Sequence, residues 1–334
     1  MNTLGNLFRL TLSGESHGLG ILLTLEGLPP GIALDSVDFA TPLARRRAAE
    51  KGTTPRKETD PLQFLTGVYK GCTTGAPLSI FVTNNDTHPQ DYEQFSDVPR
   101  PGHADFVVRS KYFSHSDPRG GGMFSGRLTV ALVLAGTLAR TLLLKKGISI
   151  EAKVDTIGGR KDWEAILQDA IRDGDSLGGT VACNIEGVHI GLGEPFFNSL
   201  ESLLSHAIFS IPGVRALEFG SGFEGCAMRG SEFNDPLVAT DGTTRTNHCG
   251  GIVGGLSNGN PIQFTVGFRP AASIAKPQSA FNLRTQTEET LSVKGRHDPC
   301  FVLRCPVIVE SVAAMVLYDL ELMYGSQRQA FECT

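Results

Sequence analysis

Apolar and β-branched residues set between glycines at 6–12 (NLFRLTL) and 20–26 (GILLTLE) predict two strands around the turn SGESHG. That turn projects Glu15, Ser16 and His17. Asp35 is placed to cap a helix that carries apolar residues at helical spacing and ends at Gly52, with Arg45, Arg46 and Arg47 in its last turns. Three adjacent arginines cannot share one helix face, so they point in different directions. Residues 53–60 form a polar loop, strands follow at 63–69 and 77–83, and Asn84-Asn85-Asp86 signals a turn. Further on, the pattern predicts strands at 149–155, 179–187 and 261–267. Helices are expected at 162–173 (Trp163, Ile166, Leu167, Ala170 and Ile171 inward), at 197–209 capped by Asn198, and at 310–324. In the last, Val312, Met315, Val316, Leu320 and Met323 fall on one buried face. Both halves of the chain mix strands with helices.

Val130 to Leu144 (VALVLAGTLARTLLL) breaks this pattern, because it is apolar nearly all round. Such a helix is buried on most of its surface, and as read from the sequence it is too short to span a bilayer. It is entered through Ser125, behind the run Arg119-Gly120-Gly121-Gly122, and further upstream stand Arg100, Pro101, Gly102, His103 and Asp105. Glycines let backbone approach a ligand closely, and a helix N-terminus offers amide N–H groups and a positive dipole end. Arg119 and Arg127 add formal charge, so the stretch suits an anion; the alternative is a Gly-rich turn with solvated arginines.

Composition narrows the classes. The chain has 334 residues, 40% of them hydrophobic, and a net charge of −5, which argues against non-specific nucleic-acid binding. An anionic ligand must then be held locally. The N-terminus has no basic region followed by an apolar run, so neither secretory signal nor membrane segment is expected, and the expected location is cytoplasmic. Seven scattered cysteines form no C-x-x-C pair, which speaks for reduced, mostly buried thiols and no metal site. The run Gly220-Ser221-Gly222-Phe223-Glu224-Gly225 fits a dinucleotide fingerprint, but no helical apolar period follows it, so it is taken as a turn. Residues 242–260 are too polar and Gly-rich for core and form a mobile or a ligand loop.

Six stretches together resemble the chorismate synthase family: GESHGLGILLTLEGLPPG (14–31), RRR with RKETD (45–60), RPGHAD (100–105), RGGGMFSGRLT (119–129), NHCGGIVGGLSNG (247–259) and GRHDPCFVLRCPVIVES (295–311). They span nearly the whole chain in the family's order. The resemblance implies an α+β fold, a β-α-β sandwich forming a single large domain over 1–334, assembled as a homotetramer. It implies a carbon–oxygen lyase that eliminates phosphate from 5-enolpyruvylshikimate 3-phosphate to give chorismate. Reduced FMN is required without net redox change, and an external flavin reductant is expected rather than NADPH used by the chain itself.

The resemblance also supplies roles. His17 matches the histidine near the substrate phosphate, His103 the one assigned to the reduced flavin, and Asp298 the proposed proton acceptor. Ser16, Arg46, Arg56 and Arg127 are the implied substrate binders. For FMN it points to Met123, Phe124, Ser125, Pro212, Gly213, Gly254, Lys276, Pro277, Gln278, Ser279, Ala280 and Arg296. Met123-Phe124 stand where most of the family has Arg-Ser and Leu128 where Glu is frequent, which leaves the backbone N–H groups of 123–125 rather than an arginine side chain to meet FMN; Ala48-Ala49 replace the common Pro-Gly, so that loop is expected to be helical with its contacts shifted. His88, His115, His189 and His206 lack such context; His248 and His297 lie in matched loops. Two other classes share these features, a flavin oxidoreductase using NAD(P)H and a non-enzymatic flavin or phosphate binder.

Overall fold

The computed structural model describes residues 2–47, 52–53, 59–85, 92, 95–293 and 298–332. Strands β1 (Thr3–Leu4), β2 (Arg9–Gly14), β3 (Gly20–Glu26), β4 (Leu62–Thr66) and β7 (Leu78–Thr83) build an antiparallel sheet in the order β1-β2-β3-β7-β4; the small hairpin of β5 (Val68–Tyr69) and β6 (Cys72–Thr73) interrupts them. A second antiparallel sheet has the order β10-β13-β9-β8, from β8 (Ser149–Ile157), β9 (Gly179–Glu186), β10 (Val214–Phe219) and β13 (Ile262–Phe268). Two-stranded pairs β11–β12 (Ile252–Val253, Leu256–Ser257) and β14–β15 (Gln278–Asn282, Thr287–Leu291) complete the strands. The helices are α1 (Ala40–Arg46), α2 (Asp105–Lys111), α3 (Thr129–Leu144), α4 (Glu164–Arg172), α5 (Leu200–Ile208), the single turns α6 (Gly222–Gly225) and α7 (Gly230–Phe233), and α8 (Pro306–Glu332).

Alternation in β3 and β7 buries Ile21, Leu23, Leu25, Leu78, Ile80 and Val82 on one face, and that face meets α3. On its other side α3 meets β8, and α8 packs on β8 and β9. The two helices therefore lie as a layer between the sheets, inside one core that runs from Phe8 to Leu320. This is the α+β sandwich. With no face left for solvent, the central parts of both helices are apolar all round, and the single buried face expected for the last helix becomes a helix buried from Val307 to Glu321. Together with the turn before it, α3 covers Gly126–Leu144, long and apolar enough by length and composition to cross a membrane; it is mostly buried inside the protein, where a core helix belongs.

Other expectations shift locally. Asp35 lies in a 3-10 turn, and α1 begins only at Ala40, where Asp38 accepts from the Thr41 N–H. Ser199 rather than Asn198 caps α5, its hydroxyl accepting from Ser202 N–H. Ala48-Ala49 lie outside the described residues.

The helix layer is closest at Gly136, where an added β-carbon would sit 2.3 Å from Ser311 Cα. Backbone on both sides leaves nothing flexible to move. Gly136→Ala is expected to lower the unfolding free energy by about 1–3 kcal/mol, the usual cost of overpacking, read from urea denaturation. An unchanged midpoint would show that the helices can separate there without loss.

Candidate functional site

The triple-glycine segment forms no regular helix. Gly120, Gly121 and Gly122 have φ of 60°, 88° and 54°, a left-handed run that residues with a β-carbon rarely adopt. Their α-carbons are also where space runs out. A β-carbon on Gly120 would lie 2.1 Å from His17 Nδ1 and 2.6 Å from Ser16 Oγ, while one on Gly121 would stand 3.4 Å from His103 Cε1. The loop is thus a partition with Ser16 and His17 on one side and His103 beyond it, and Ser16 N–H donates to Gly122 O to seal it. Beyond the glycines, Met123 packs on the core, Phe124 is 41% exposed, and Ser125 Oγ accepts from Arg127 N–H at the turn leading into α3.

His17 is buried; its Nδ1 lies 3.1 Å from Ser16 Oγ and its ring meets Tyr92 edge-on at 4.9 Å. His103 sits in the turn before α2, with Nδ1 2.6 Å from Asp105 Oδ1. Arg100 holds the same carboxylate with Nε and Nη2, each at 2.8 Å, and stacks over Phe95 at 4.5 Å. Burial alone would raise the Asp105 pKa, but hydrogen bonds from Arg100 and His103 hold it far below the usual carboxylate range. A cleft of about 260 Å³ opens here, with His103, Asp105, Asp117 and Gly121 in its wall.

Neither expected cation stands free. Arg119 pairs with Asp117 at 2.7 Å, which lowers the Asp117 pKa chiefly through that bond. Arg127 is buried and donates to Asp60, to Asn84 Oδ1 at 2.9 Å and to Thr83 O. Asp60 also receives Arg46 Nη2 at 3.0 Å and Arg47 Nε at 3.4 Å. Burial raises the Asp60 pKa, and the charges of Arg46 and Arg127 more than offset it, so the net direction is down. Arg46 in turn is pushed down to about 10, mainly by burial. Its Nε has no acceptor among the described residues, nor has Nε of Arg304, whose charge is close enough to act on Arg46.

Arg304 binds Asp298 just ahead of α8, so the carboxylate pairs with this arginine; Arg296 and Arg56 lie outside the described residues, as do His88 and His297. Asn84, taken from the sequence as a turn residue, ties the parts together. It accepts from Arg127 and donates to Glu15 O at 2.9 Å and Gly18 O at 3.0 Å, fixing the His17 loop to the arginine cluster.

The flavin-side residues divide. Pro212 and Gly213 follow α5, and Gly213 O accepts from Arg269 N–H while Arg269 Nη1 donates to Gly102 O beside His103. Ala280 packs with Phe95, Val98, Leu291 and Val293 in a small second core under Arg100. Lys276 is paired with Asp175 at 2.9 Å, Pro277 and Ser279 flank Gln278, and Gln278 Nε2 is buried with no acceptor among the described residues. Gly254 is elsewhere. It lies in the β11–β12 turn, where Gly255 O accepts from Leu200 N–H at the start of α5, whereas Gly213 follows the end of that helix. His248 bonds Ser221 Oγ at 2.7 Å, and His189 pairs with Glu321 at 3.0 Å.

Sequence reasoning passed over Asp60, Asn84, Arg100 and Arg304 as site residues. Arg100 opens one motif and Asp60 closes another, and the surplus of arginine over carboxylate in RRR with RKETD was the one available signal for a buried counter-ion.

The comparisons follow this geometry. The family pattern described as "Chorismate synthase" matches residues 8–322. A protein named chorismate synthase from Chitinophaga pinensis is 48% identical over 332 residues, covering 99% of this chain and 100% of the relative. One of the same name from Aeropyrum pernix is 42% identical over 353 residues, covering 96% and 93%. Among solved structures, a crystal structure of chorismate synthase superposes with a TM-score of 0.73 at 23% identity over 96% of this chain and 93% of the other, a likeness of fold.

Two predictions come from the geometry. Asp60→Asn should cost about 3–5 kcal/mol, since it strands buried guanidinium groups. The sign with pH follows from the depressed pKa: the Asp60 contribution is complete above the ordinary carboxylate value and disappears as pH falls through the lower folded value. Wild-type urea midpoints should therefore drop between about pH 5 and pH 2 more than those of Asp60→Asn, and parallel curves would refute the coupling. Gly120→Ala should displace the His17 ring and reduce turnover at least about 10²-fold, the scale of losing one acid–base group. Wild-type turnover in that variant would show that the partition does not set the histidine.

Proposed function

The chain belongs to the chorismate synthase family and is a lyase, and from that premise we propose that it eliminates phosphate from 5-enolpyruvylshikimate 3-phosphate across the glycine partition, with reduced FMN bound beside His103. The observation that carries the reading is the partition itself, which keeps Ser16 and His17 on one side and His103 on the other.

An anionic substrate fits the charges present. Among the described residues, four guanidinium groups (Arg46, Arg47, Arg127 and Arg304) stand against two carboxylates (Asp60 and Asp298), an excess of two positive charges, with Arg46, Arg127 and Asp60 buried. The unmatched Nε–H of Arg46 and of Arg304 call for an acceptor, which a phosphate or carboxylate oxygen provides. FMN is supported by a different orphan, the buried Gln278 Nε2, together with the Gly121 backbone open to the cleft. Lys276, Gln278, Ser125 and the backbone of 123–125 would hold it. When bound, reduced FMN supplies electron density that eases C–O cleavage and is not consumed.

The protein's own residues do the rest. His17, hydrogen-bonded to Ser16 Oγ, donates a proton or a hydrogen bond at Nε2 or Nδ1 to the departing phosphate. The arginine cluster stabilises the anion as it leaves, and its prior pairing with Asp60 keeps it oriented before substrate arrives. Asp298, held by Arg304, is the carboxylate to which the proton lost by the substrate would finally pass, by way of the flavin when it is bound. A homotetramer, a cytoplasmic location and a flavin reductant outside the chain belong to the same proposal; thiols at Cys183, Cys300 and Cys305, all buried, support a reducing compartment.

An anaerobic assay with reduced FMN and the enolpyruvyl substrate, following phosphate release, tests the whole reading. Release of phosphate without oxidation of flavin or nucleotide is expected. Stoichiometric nucleotide consumption would make the protein an oxidoreductase, and flavin affinity without turnover would make it a binder. Within that assay, His17→Ala, His103→Ala and Asp298→Asn should each fall by about 10²–10⁴-fold while staying folded. A near-wild-type rate in any one removes that residue from the mechanism.

A further inference from the structure

We propose that Asp105 is a positioning residue: its carboxylate holds His103 in one tautomer and one ring orientation, with Nε2 turned toward Gly121 and the cleft. The inference rests on the reading of His103 as a group that acts in that cleft, and it concerns a residue to which that reading gives no part.

The tautomer follows from the donors and acceptors present. Nδ1 of His103 lies 2.6 Å from Asp105 Oδ1, and an ionised carboxylate can only accept, so Nδ1 carries the hydrogen. Arg100 Nη2, with two hydrogens to give, also lies 3.1 Å from Nδ1 and 2.8 Å from the same Oδ1; a hydrogen-free Nδ1 accepting from it would set its own lone pair against the carboxylate oxygen at 2.6 Å, so the closer contact decides for Nδ1–H. Nε2 is then left without hydrogen in the neutral ring, 3.5 Å from where a Gly121 β-carbon would stand.

The carboxylate is itself immobile. It takes Arg100 Nε and the Arg100 backbone N–H on Oδ2, and the side chain opens α2. Arg100 is buried, lies over Phe95 and Tyr92, and donates its Nη1 to Ser273 Oγ at 3.0 Å. Below it sits the small core of Phe95, Val98, Ala280, Leu291 and Val293. Rotation of His103 would therefore require breaking a charge-assisted hydrogen bond whose acceptor cannot follow. Asp117, Arg109 and Asp97 share the cleft wall, and none of these three is hydrogen-bonded to the imidazole.

Asp105→Asn separates this role from a purely structural one. The amide oxygen can still accept from Arg100, while the amide NH2 faces Nδ1 and favours the opposite tautomer. In flavin-free protein at alkaline pH, two-bond 15N–1H correlation spectra should show Nδ1–H in the wild type and Nε2–H in Asp105→Asn. Turnover should fall by about 10²–10⁴-fold with KM moved no more than a few-fold, as expected when a ring is presented in the wrong tautomer. In a His103→Ala background the same substitution should add almost nothing, because it acts through the missing ring. If Asp105→Asn does not fold, Asp105→Glu keeps the charge and should retain the Nδ1–H tautomer with partial turnover.

An unchanged tautomer in Asp105→Asn, an unchanged rate despite an inverted tautomer, or a full additional loss in the His103→Ala background would each overturn the proposal. So would wild-type turnover in Asp105→Glu without the Nδ1–H tautomer. Failure of the underlying reading looks different: His103→Ala would then turn over normally, whatever the spectra show for Asp105.

Discussion

Everything at the site hangs on the contact between Gly136 and Ser311, where α3 and α8 touch backbone to backbone. Helices packed that closely have no freedom to slide, since a displacement of even part of an ångström brings backbone atoms into overlap. The consequence reaches the ends of both helices. Arg127 lies in the turn before α3, and Asp298 and Arg304 lie just before α8, so one crossing point bears on how far apart these charged groups stand. Glu310, next to Ser311, reinforces it by binding Arg45 at 2.7 Å, Arg140 at 2.8 Å and the Ala152 N–H at 2.9 Å. That carboxylate is buried and fully engaged, and it fixes the last turn of α1, from which Arg46 reaches Asp60.

Buried ion pairs rarely add much stability over a well-packed apolar core, because desolvation takes back most of the attraction. Their value here is orientation. Two guanidinium groups that are nearly inaccessible and one carboxylate between them would be costly as isolated charges, and Asp60 makes the arrangement tolerable while leaving a positive surplus. A ligand anion arriving at the remaining Nε–H donors finds groups already held in place, so little ordering is left to do on binding.

How much of this could be seen in the sequence varies with the range of the interaction. The strand at 20–26 and the apolar helix after Ser125 were legible because burial imposes a local period or its absence. The second buried helix was half legible: Val312, Met315 and Val316 show a face, but Ala313, Ala314 and Leu317 are buried too, since a neighbour in space rather than in sequence covers them. At the site, the glycine run and the two histidines stood out as local motifs. Asp60 did not, for its partners Arg46 and Arg127 come from 14 and 67 positions away and meet it only through the fold. Asn84 was hidden for the opposite reason, its residue type being so common in turns that a second use leaves no mark.

The partition of glycines also explains why the two histidines can do different things within a few residues of each other. His103 faces a carboxylate at Nδ1, an acceptor only, and that settles where its hydrogen sits. His17 faces the hydroxyl of Ser16, which can donate or accept, and Ser16 Oγ in turn lies 3.3 Å from the Arg119 carbonyl. A ring next to a hydroxyl can gain or lose a hydrogen while its neighbour rotates to match; a ring next to a carboxylate cannot do so without losing its strongest bond. The first arrangement suits a group that must change protonation as phosphate departs, and the second suits one that must keep a fixed face toward a bound molecule. Residues without side chains are what allows the two rings to approach one loop from either side, because any β-carbon at Gly120 would displace the first ring and any large side chain at Gly121 would press on the second.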